Sequence, residues 1–254
     1  MNAKAFILHL GRARSRNDNV QHLLELCGIE AEVWPAVDGE SLSESDIAAT
    51  VKTGLFKPAY PFDLGKGEIG CFLSHRQVWL EMLKRNLDAA LIFEDDAGID
   101  PNTYHHALKL AFKFINQMGY IQLQTRRYDG PRFNVDIIGH CAIVVPRRTE
   151  LRSTAQMVSR EAALKLLYGS STFDRPVDTY VQSHWHTGVR PAMIYPSGII
   201  SNSRHVGGST VQNARKTFSG KVWREASRFI YRSAVTRYSK SSSAPIHGGC
   251  LKDG

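Results

Sequence analysis

Asp88-Ala89-Ala90-Leu91-Ile92-Phe93-Glu94-Asp95-Asp96 runs a block of apolar residues straight into three carboxylates. An unbroken apolar run of this length reads as a strand buried on both faces, as in the middle of a parallel sheet. The three acids then fall at its carboxyl end. Open α/β sheets take their ligands in the crevice beyond that end, so this one stretch indicates both an architecture and a place for chemistry.

Working towards the amino terminus, residues 68–85 stack Ile69, Phe72, Leu73, Val78, Trp79, Met82 and Leu83 at helical spacing. Before them lies a loop carrying Pro58, Pro61, Gly65 and Gly67, and before that residues 41–52 form a short helix with Ser43 as cap. The opening is strand, helix, strand: residues 4–10, then 15–27 stopped by Gly28, then 32–37 ending in the turn Asp38-Gly39. Working towards the carboxyl terminus, Pro101 opens a helix through residue 116, and strands follow at 120–124 and 139–145. Helices at 159–168 and 176–186 and a strand at 192–195 complete the pattern. Strands alternating with helices predict a single Rossmann-like α/β domain with an open, mostly parallel sheet over residues 1–218. Residues 219–254 are expected to form a basic helix and a Ser/Gly-rich tail.

The chain of 254 residues is 43% hydrophobic, enough for one sizeable core. Its longest clean apolar runs, 89–93 and 142–145, are strand-sized, so no membrane-spanning helix is expected. The apolar run 5–8 precedes Arg12, Arg14 and Arg16, the reverse of the charge order in a secretory signal. Cys27, Cys71, Cys141 and Cys250 are widely spaced and form no CxxC pair. Both features predict a cytoplasmic protein with reduced thiols. Residues 201–254 hold ten basic and two acidic side chains, which accounts for the whole net charge of +8. A neutral body with a basic tail predicts an anionic partner for the tail and no nucleic-acid-binding fold.

Adjacent carboxylates in a partly dry cleft repel one another unless a cation is bound. A hard divalent ion, Mn²⁺ or Mg²⁺, would relieve that repulsion at Glu94 and Asp96 and would hold a diphosphate at the same time. The competing reading is that Asp95 and Asp96 begin a turn and cap the helix beyond Pro101.

A longer string surrounds the acids: Gly67-Glu68-Ile69-Gly70-Cys71-Phe72-Leu73-Ser74-His75-Arg76-Gln77-Val78-Trp79, then Leu91-Ile92-Phe93-Glu94-Asp95-Asp96. With Phe6-Ile7-Leu8-His9-Leu10, Arg12, Arg16 and Ala36-Val37-Asp38-Gly39, it closely resembles glycosyltransferase family 25, which includes bacterial lipooligosaccharide galactosyl- and glucosyltransferases. The likeness runs from residue 4 to about residue 205. It implies a GT-A type fold, a UDP-galactose or UDP-glucose donor, and inversion at the anomeric carbon. Glu94 and Asp96 match the acidic motif that engages Mn²⁺, diphosphate and ribose, with Asp95 on the donor side. Where the family usually reads Asn-Leu-Asp, this chain has His9-Leu10-Gly11, so donor contacts are expected of His9 and Leu10 and not of Gly11.

An inverting displacement needs a base opposite the leaving group. Asp178 in Arg175-Pro176-Val177-Asp178 resembles a Pro-Val-Asp element of the family and is the first candidate. A first-turn carboxylate satisfied by the helix dipole explains it too, and Asp174 is the neighbouring alternative. His75 and Ser74 are candidates for donor or acceptor contacts, but as adjacent helix residues they cannot face each other as nucleophile and base. Glu68 reads either as an acceptor-binding group or as a first-turn carboxylate. Arg12 and Arg16 lie one helical turn apart and suit the donor's negative groups. Asp38 either touches the nucleoside or forms the turn with Gly39. His205 is a candidate late metal ligand. Gly65-Lys66-Gly67-Glu68-Ile69-Gly70 matches GxGxxG, but Pro58 and Pro61 argue against the preceding strand a dinucleotide site requires.

In the tail, Lys221, Arg224, Arg228 and Arg232 recur at helical spacing while Val222, Trp223, Ala226, Phe229 and Ile230 gather on another side. Such a helix either lies in an anionic membrane interface, near a lipid-linked oligosaccharide acceptor, or closes the core. Two other functional classes use the same acids: a metal-dependent phosphohydrolase or nucleotidyltransferase, and a non-catalytic nucleotide- or glycan-binding protein.

Overall fold

A computed structural model describes residues 1–202 and 218–245. Ala3–His9 (β1) sends Phe6 and Leu8 to one face and Ala5 and Ile7 to the other, and both faces are covered. Asn17–Leu26 (α1) buries Val20 and Leu23 and ends before Gly28, whose φ of 78° strains any residue with a Cβ. Ala31–Pro35 (β2) and Glu44–Thr50 (α2) follow, the latter capped by Ser43, whose hydroxyl accepts from Asp46 N at 3.1 Å. Next come Lys66–Lys84 (α3), Ala89–Glu94 (β3), Ala97–Ile99 (β4) and Pro101–Met118 (α4). Asp100 caps α4 by accepting from Asn102 N, so Asp95 and Asp96 form the turn between β3 and β4 but not that cap.

The second half contains Tyr120–Leu123 (β5), Arg132–Ile138 (β6), Cys141–Pro146 (β7) and Ala155–Ser159 (β8). Arg160–Tyr168 (α5), Val177–Gln182 (α6), His184–Thr187 (α7), Ala192–Tyr195 (β9), Ile199–Ser201 (β10) and Phe218–Ser241 (α8) complete it.

Eight strands form one sheet in the order β2-β1-β3-β8-β5-β9-β7-β6, while β4 and β10 pair separately. β1 is parallel to β2 and β3, and β5 to β9. Only β7 and β8 run against the rest, so six of the eight strands point one way, as the alternation of strands and helices predicts. Ala89–Phe93 is wholly buried. On one face of the sheet α1 and α4 supply Val20, Leu23, Leu110 and Ile115 to a core with Ile7 and Leu91. On the other, Phe72, Trp79 and Met82 of α3 pack with Leu166 and Tyr180 of α5 and α6. The result is three layers, helix, sheet, helix.

The strands β4, β6 and β10 have no counterpart in the sequence reading, and two further elements depart from it. β8 inserts antiparallel between β3 and β5, although its sequence, Ala155-Gln156-Met157-Val158-Ser159, carries no strand period. The helix expected over 176–186 breaks at Ser183 into α6 and α7. Ser183 Oγ donates to Thr179 O at 2.9 Å and accepts from Arg175 Nη1 at 3.1 Å, a side-chain bond that competes with the helical ladder.

The basic helix α8 packs on the body. Tyr231 OH accepts from Arg175 Nη1 at 3.2 Å, Val235 is buried, and Tyr238 stacks on Trp185 with ring centroids 5.6 Å apart. Beyond it, Ser242 Oγ meets His184 Nδ1 at 2.8 Å. Burial, with the Arg190 charge, pushes the His184 pKa down to about 3. Below the unfolded-state value the unfolded chain therefore takes up a proton that the folded chain refuses, so stability is present near neutral pH and falls with acidification. The His184 share of that loss between pH 7.5 and 5 is about 2 kcal/mol. Urea unfolding at the two pH values should show His184→Gln losing that much less than the unaltered protein. Equal losses would remove His184 as the cause.

Candidate active site

Because β1, β2 and β3 are parallel, their carboxyl ends share one edge of the sheet, and a cavity of ≈170 Å³ opens there. Leu10 and Arg12 after β1, Val37 and Gly39 after β2, and Glu94 and Asp96 at the end of β3 line it. Helix α3 closes one side with Gly67, Cys71 and Ser74. Two glycines allow that closeness. A Cβ on Gly39 would lie 1.8 Å from Lys66 O, and one on Gly70 would lie 2.5 Å from Val37 O. Ser74 ties the same contact, accepting from Val37 N at 2.8 Å and donating to Gly70 O at 2.7 Å.

The three acids take different surroundings. Asp95 is buried, accepting from His9 Nδ1 at 2.9 Å and from Arg16 Nη1. It therefore holds the β1 loop in place, with each of its two oxygens engaged there. Glu94 Oε1 accepts from Ser153 Oγ at 2.5 Å and from the Cys71 thiol at 3.7 Å, with His75 Nε2 also 3.7 Å away. Burial alone would push the Glu94 pKa up, but the His75 ring and the Ser153 and Cys71 donors outweigh it and hold the carboxyl below its ordinary value. Gln156 Nε2 donates to His75 Nδ1 at 3.1 Å, which leaves the His75 proton on Nε2, facing Glu94. His75 Nε2 thus faces Glu94 beyond hydrogen-bond range and has no hydrogen-bond partner among the described residues.

Asp96 is different. Its Oδ1 is buried and has no hydrogen-bond partner among the described residues. Burial, then repulsion from Glu94, raises its pKa to about 6. The backbone around it is clamped: Asn19 Nδ2 donates to Asp95 O at 2.8 Å and to Ala97 O at 2.7 Å, and Asn202 N donates to Asp96 O at 2.8 Å. An orphaned carboxylate oxygen held rigidly beside a second carboxylate fits a hard divalent cation. Cys71, His75 and Glu94 also bring ligand atoms within 4.8 Å of one another. Burial keeps the Cys71 thiol protonated, however, which favours the oxygen pair Glu94 and Asp96 as the cation's holders.

Asp178 lies outside this cavity and feels the charge of Glu94 on its wall. Its carboxylate accepts from Thr179 N at 2.6 Å and Arg152 N at 3.2 Å. Burial raises its pKa, the two N–H donors pull it back, and Glu94 adds repulsion. Arg152, which supplies one donor, has φ 114°, a conformation that costs a non-glycine residue free energy and that clusters at functional sites. Its guanidinium feels both Asp96 and Glu94.

A second cavity, ≈360 Å³, is lined by Arg152, Thr179, Tyr60 and Tyr231, and the backbones of the first two donate to Asp178. Asp174, the alternative base, is committed to Arg175 Nε at 2.7 Å and to Phe56 N at 3.1 Å in a buried pair.

Of the residues singled out by sequence, Leu10, Arg12, Arg16, Ser74, Glu94, Asp95 and Asp96 meet at the first cavity. Arg12 Nε donates to Asp38 Oδ2 at 2.7 Å, and Asp38 also accepts from Glu40 N, so Asp38 shapes the turn and anchors Arg12. Glu68 reaches back to accept from Gly65 N at 2.8 Å and caps α3, which also places the GxGxxG match in a helix start with no strand before it. His205 lies outside the described residues. Ser153, Gln156, Asn19 and Arg152 escaped the sequence reading: Ser153 and Arg152 sit in a loop, Gln156 on a strand without a period of its own, and Asn19 on the polar side of α1, where its spacing marks nothing.

The family profile described as Glycosyltransferase family 25 (LPS biosynthesis protein) matches residues 2–181. A "Glycosyltransferase 25 family member" of Drosophila melanogaster is 28% identical over 183 residues, 70% of this chain and 30% of the relative. Human "Procollagen galactosyltransferase 2" is 29% identical over 187 residues, 69% of this chain and 29% of the relative. The chain thus spans under a third of the length of these relatives. A solved glycosyltransferase "involved in the glycosylation of the major capsid of PBCV-1" overlaps 66% of each chain with a TM-score of 0.34 and 8% identity. The matched segment contains every described wall of the first cavity and Asp178 as well, and the chain belongs to glycosyltransferase family 25.

Proposed function

We propose that this chain transfers a hexose, galactose or glucose, from a UDP-sugar to a hydroxyl of a lipid-linked saccharide of the lipooligosaccharide type, with inversion. The observation that carries the reading is the orphaned, buried Asp96 Oδ1 beside Glu94 on the wall of a cavity at the carboxyl ends of parallel strands. The name of the human relative supports galactose as the donated sugar.

The acceptor hydroxyl forms a bond to the anomeric carbon as the bond from that carbon to the diphosphate oxygen breaks. The hydroxyl proton goes to Asp178, and UDP leaves with the electron pair. Asp178 suits the task because burial makes it a stronger base than an exposed carboxylate, yet its two N–H donors fix its direction. Arg12 and Arg16 offer positive charge to the nucleotide, and Ser74 keeps the α3 wall against the β2 loop. A divalent ion held by Glu94 and Asp96 would neutralise charge on the departing diphosphate.

A lipid-borne acceptor is supported by α8, which exposes Phe229 and Ile230, 74% and 68% accessible, beside its arginines. Among the described residues no helix is long and apolar enough to cross a membrane, so such contact would be peripheral.

Thermal melting with UDP-galactose, UDP-glucose and Mn²⁺ tests the donor site. A donor at 100 times its dissociation constant stabilises by about 2.7 kcal/mol, and the rise in melting temperature should require the metal. No rise with any UDP-sugar would remove the donor site, and in a turnover assay release of phosphate without sugar transfer would replace this reading with a phosphohydrolase. Equal turnover of free and vesicle-borne acceptor would remove the lipid from it.

A further inference from the structure

The second cavity is lined by Arg126, Arg127, Arg148, Arg152, Arg228 and Arg232, against one carboxylate, Glu150. Arg127 pairs with Asp129, Arg148 with Glu150 and Arg228 with Glu225. Among the described residues no carboxylate pairs with Arg126 or Arg232, while Arg152 donates to Thr125 Oγ1 at 3.1 Å and feels Asp96 and Glu94 only at longer range; burial and then Arg126 press its pKa down. The arginines come from three separate parts of the chain, the segments after β5 and β7 and the helix α8. Solvated surface charges have no reason to converge in this way from distant segments. Tyr60, Phe62 and Tyr231 add aromatic surface, and Gln124, Thr179 and Gln182 add neutral polar groups. Aromatic faces and amide or hydroxyl groups suit a sugar ring, while guanidinium forks suit phosphate or carboxylate.

We propose that this cavity binds the acceptor saccharide through an anionic substituent, a phosphate or a carboxylate, so that the enzyme selects a charged glycan. The proposal rests on the glycosyltransferase reading above and deepens it. Asp178 accepts from the backbone of Arg152 and Thr179, both on this wall, and feels Glu94 on the donor side. A glycan anchored by its charge in the arginine cavity would therefore present its hydroxyl to Asp178 with the donor beyond. Helix α8 contributes Arg228 and Arg232 and thus serves acceptor choice as well as closing the fold.

The test is calorimetric titration of the full chain, saturated with UDP and Mn²⁺, with maltose, maltose 6′-phosphate and maltobionate. The expected result is binding of the phosphate at least about tenfold tighter than maltose, with the carboxylate arm telling whether a single negative charge suffices. The double variant Arg126→Gln/Arg232→Gln, both positions exposed, should keep its melting temperature, keep UDP affinity within about twofold, and lose that preference. Equal binding of all three sugars to the unaltered chain would overturn the proposal. So would a preference that survives the double variant, or a parallel loss of UDP affinity, which would make the cavity part of the donor site. If UDP fails to bind the unaltered chain, the glycosyltransferase reading falls with it, whereas loss of charge preference with UDP bound overturns the arginine cavity alone.

Discussion

Asp96→Asn is expected to lower hexose transfer by about three orders of magnitude at saturating donor, because it removes one of two carboxylates available to a cation on the leaving diphosphate. The change is nearly isosteric, so the turn between β3 and β4, clamped by Asn19 and Asn202, stays in place. Its effect on folding runs the other way. Asp96 is raised to about 6 by burial and by Glu94, so its charge costs the folded state free energy. The metal-free variant should therefore melt at the same temperature as the parent or higher, while the increase caused by Mn²⁺ disappears. Loss of activity with gain of stability is the signature of a functional carboxylate. A variant that keeps more than a tenth of the parent's transfer rate would disqualify Glu94 and Asp96 as the metal site.

Asp178→Asn is expected to reduce kcat by about 10³-fold while donor affinity changes less than about twofold, since a base acts on the acceptor proton and not on UDP. The amide still accepts from Thr179 N but presents a donor to Arg152 N, so a stability loss of about 1–3 kcal/mol accompanies it. The pH profile separates chemistry from folding. Burial raises the Asp178 pKa, and only the ionised form takes a proton, so turnover of the parent falls as the pH drops through that raised value. The residual activity of the variant should lack this acidic limb. An unchanged limb, or a kcat within tenfold of the parent, would return the role of base to another group. Asp174 is a poor substitute, because Arg175 and Phe56 N already occupy its oxygens in a buried pair.

The residues from Ala89 to Asp96 could be read locally. A strand buried on both faces must be apolar throughout, and carboxylates cannot continue it into the core, so the place where it ends is written in its composition. The alternation of Ala5 and Ile7 against Phe6 and Leu8, the Ser43 cap and the Gly28 stop are equally local, each depending on neighbours within one turn or one pleat. β8 was not legible, because a short strand enclosed by β3 and β5 draws its stability from partners elsewhere in the chain. The break at Ser183 depends on Arg175, which no helical period reveals.

Composition and spacing thus determined an α/β sheet with an acidic motif at the end of its central strand, since backbone period and burial are properties of consecutive residues. Only the tertiary structure decided what each acid does: Asp95 is engaged by His9 and Arg16, Glu68 by the start of α3, and Asp96 is left with a buried oxygen unmatched among the described residues. Hydrogen-bond capacity and desolvation belong to groups brought together from distant segments, and no local pattern records which of them will meet.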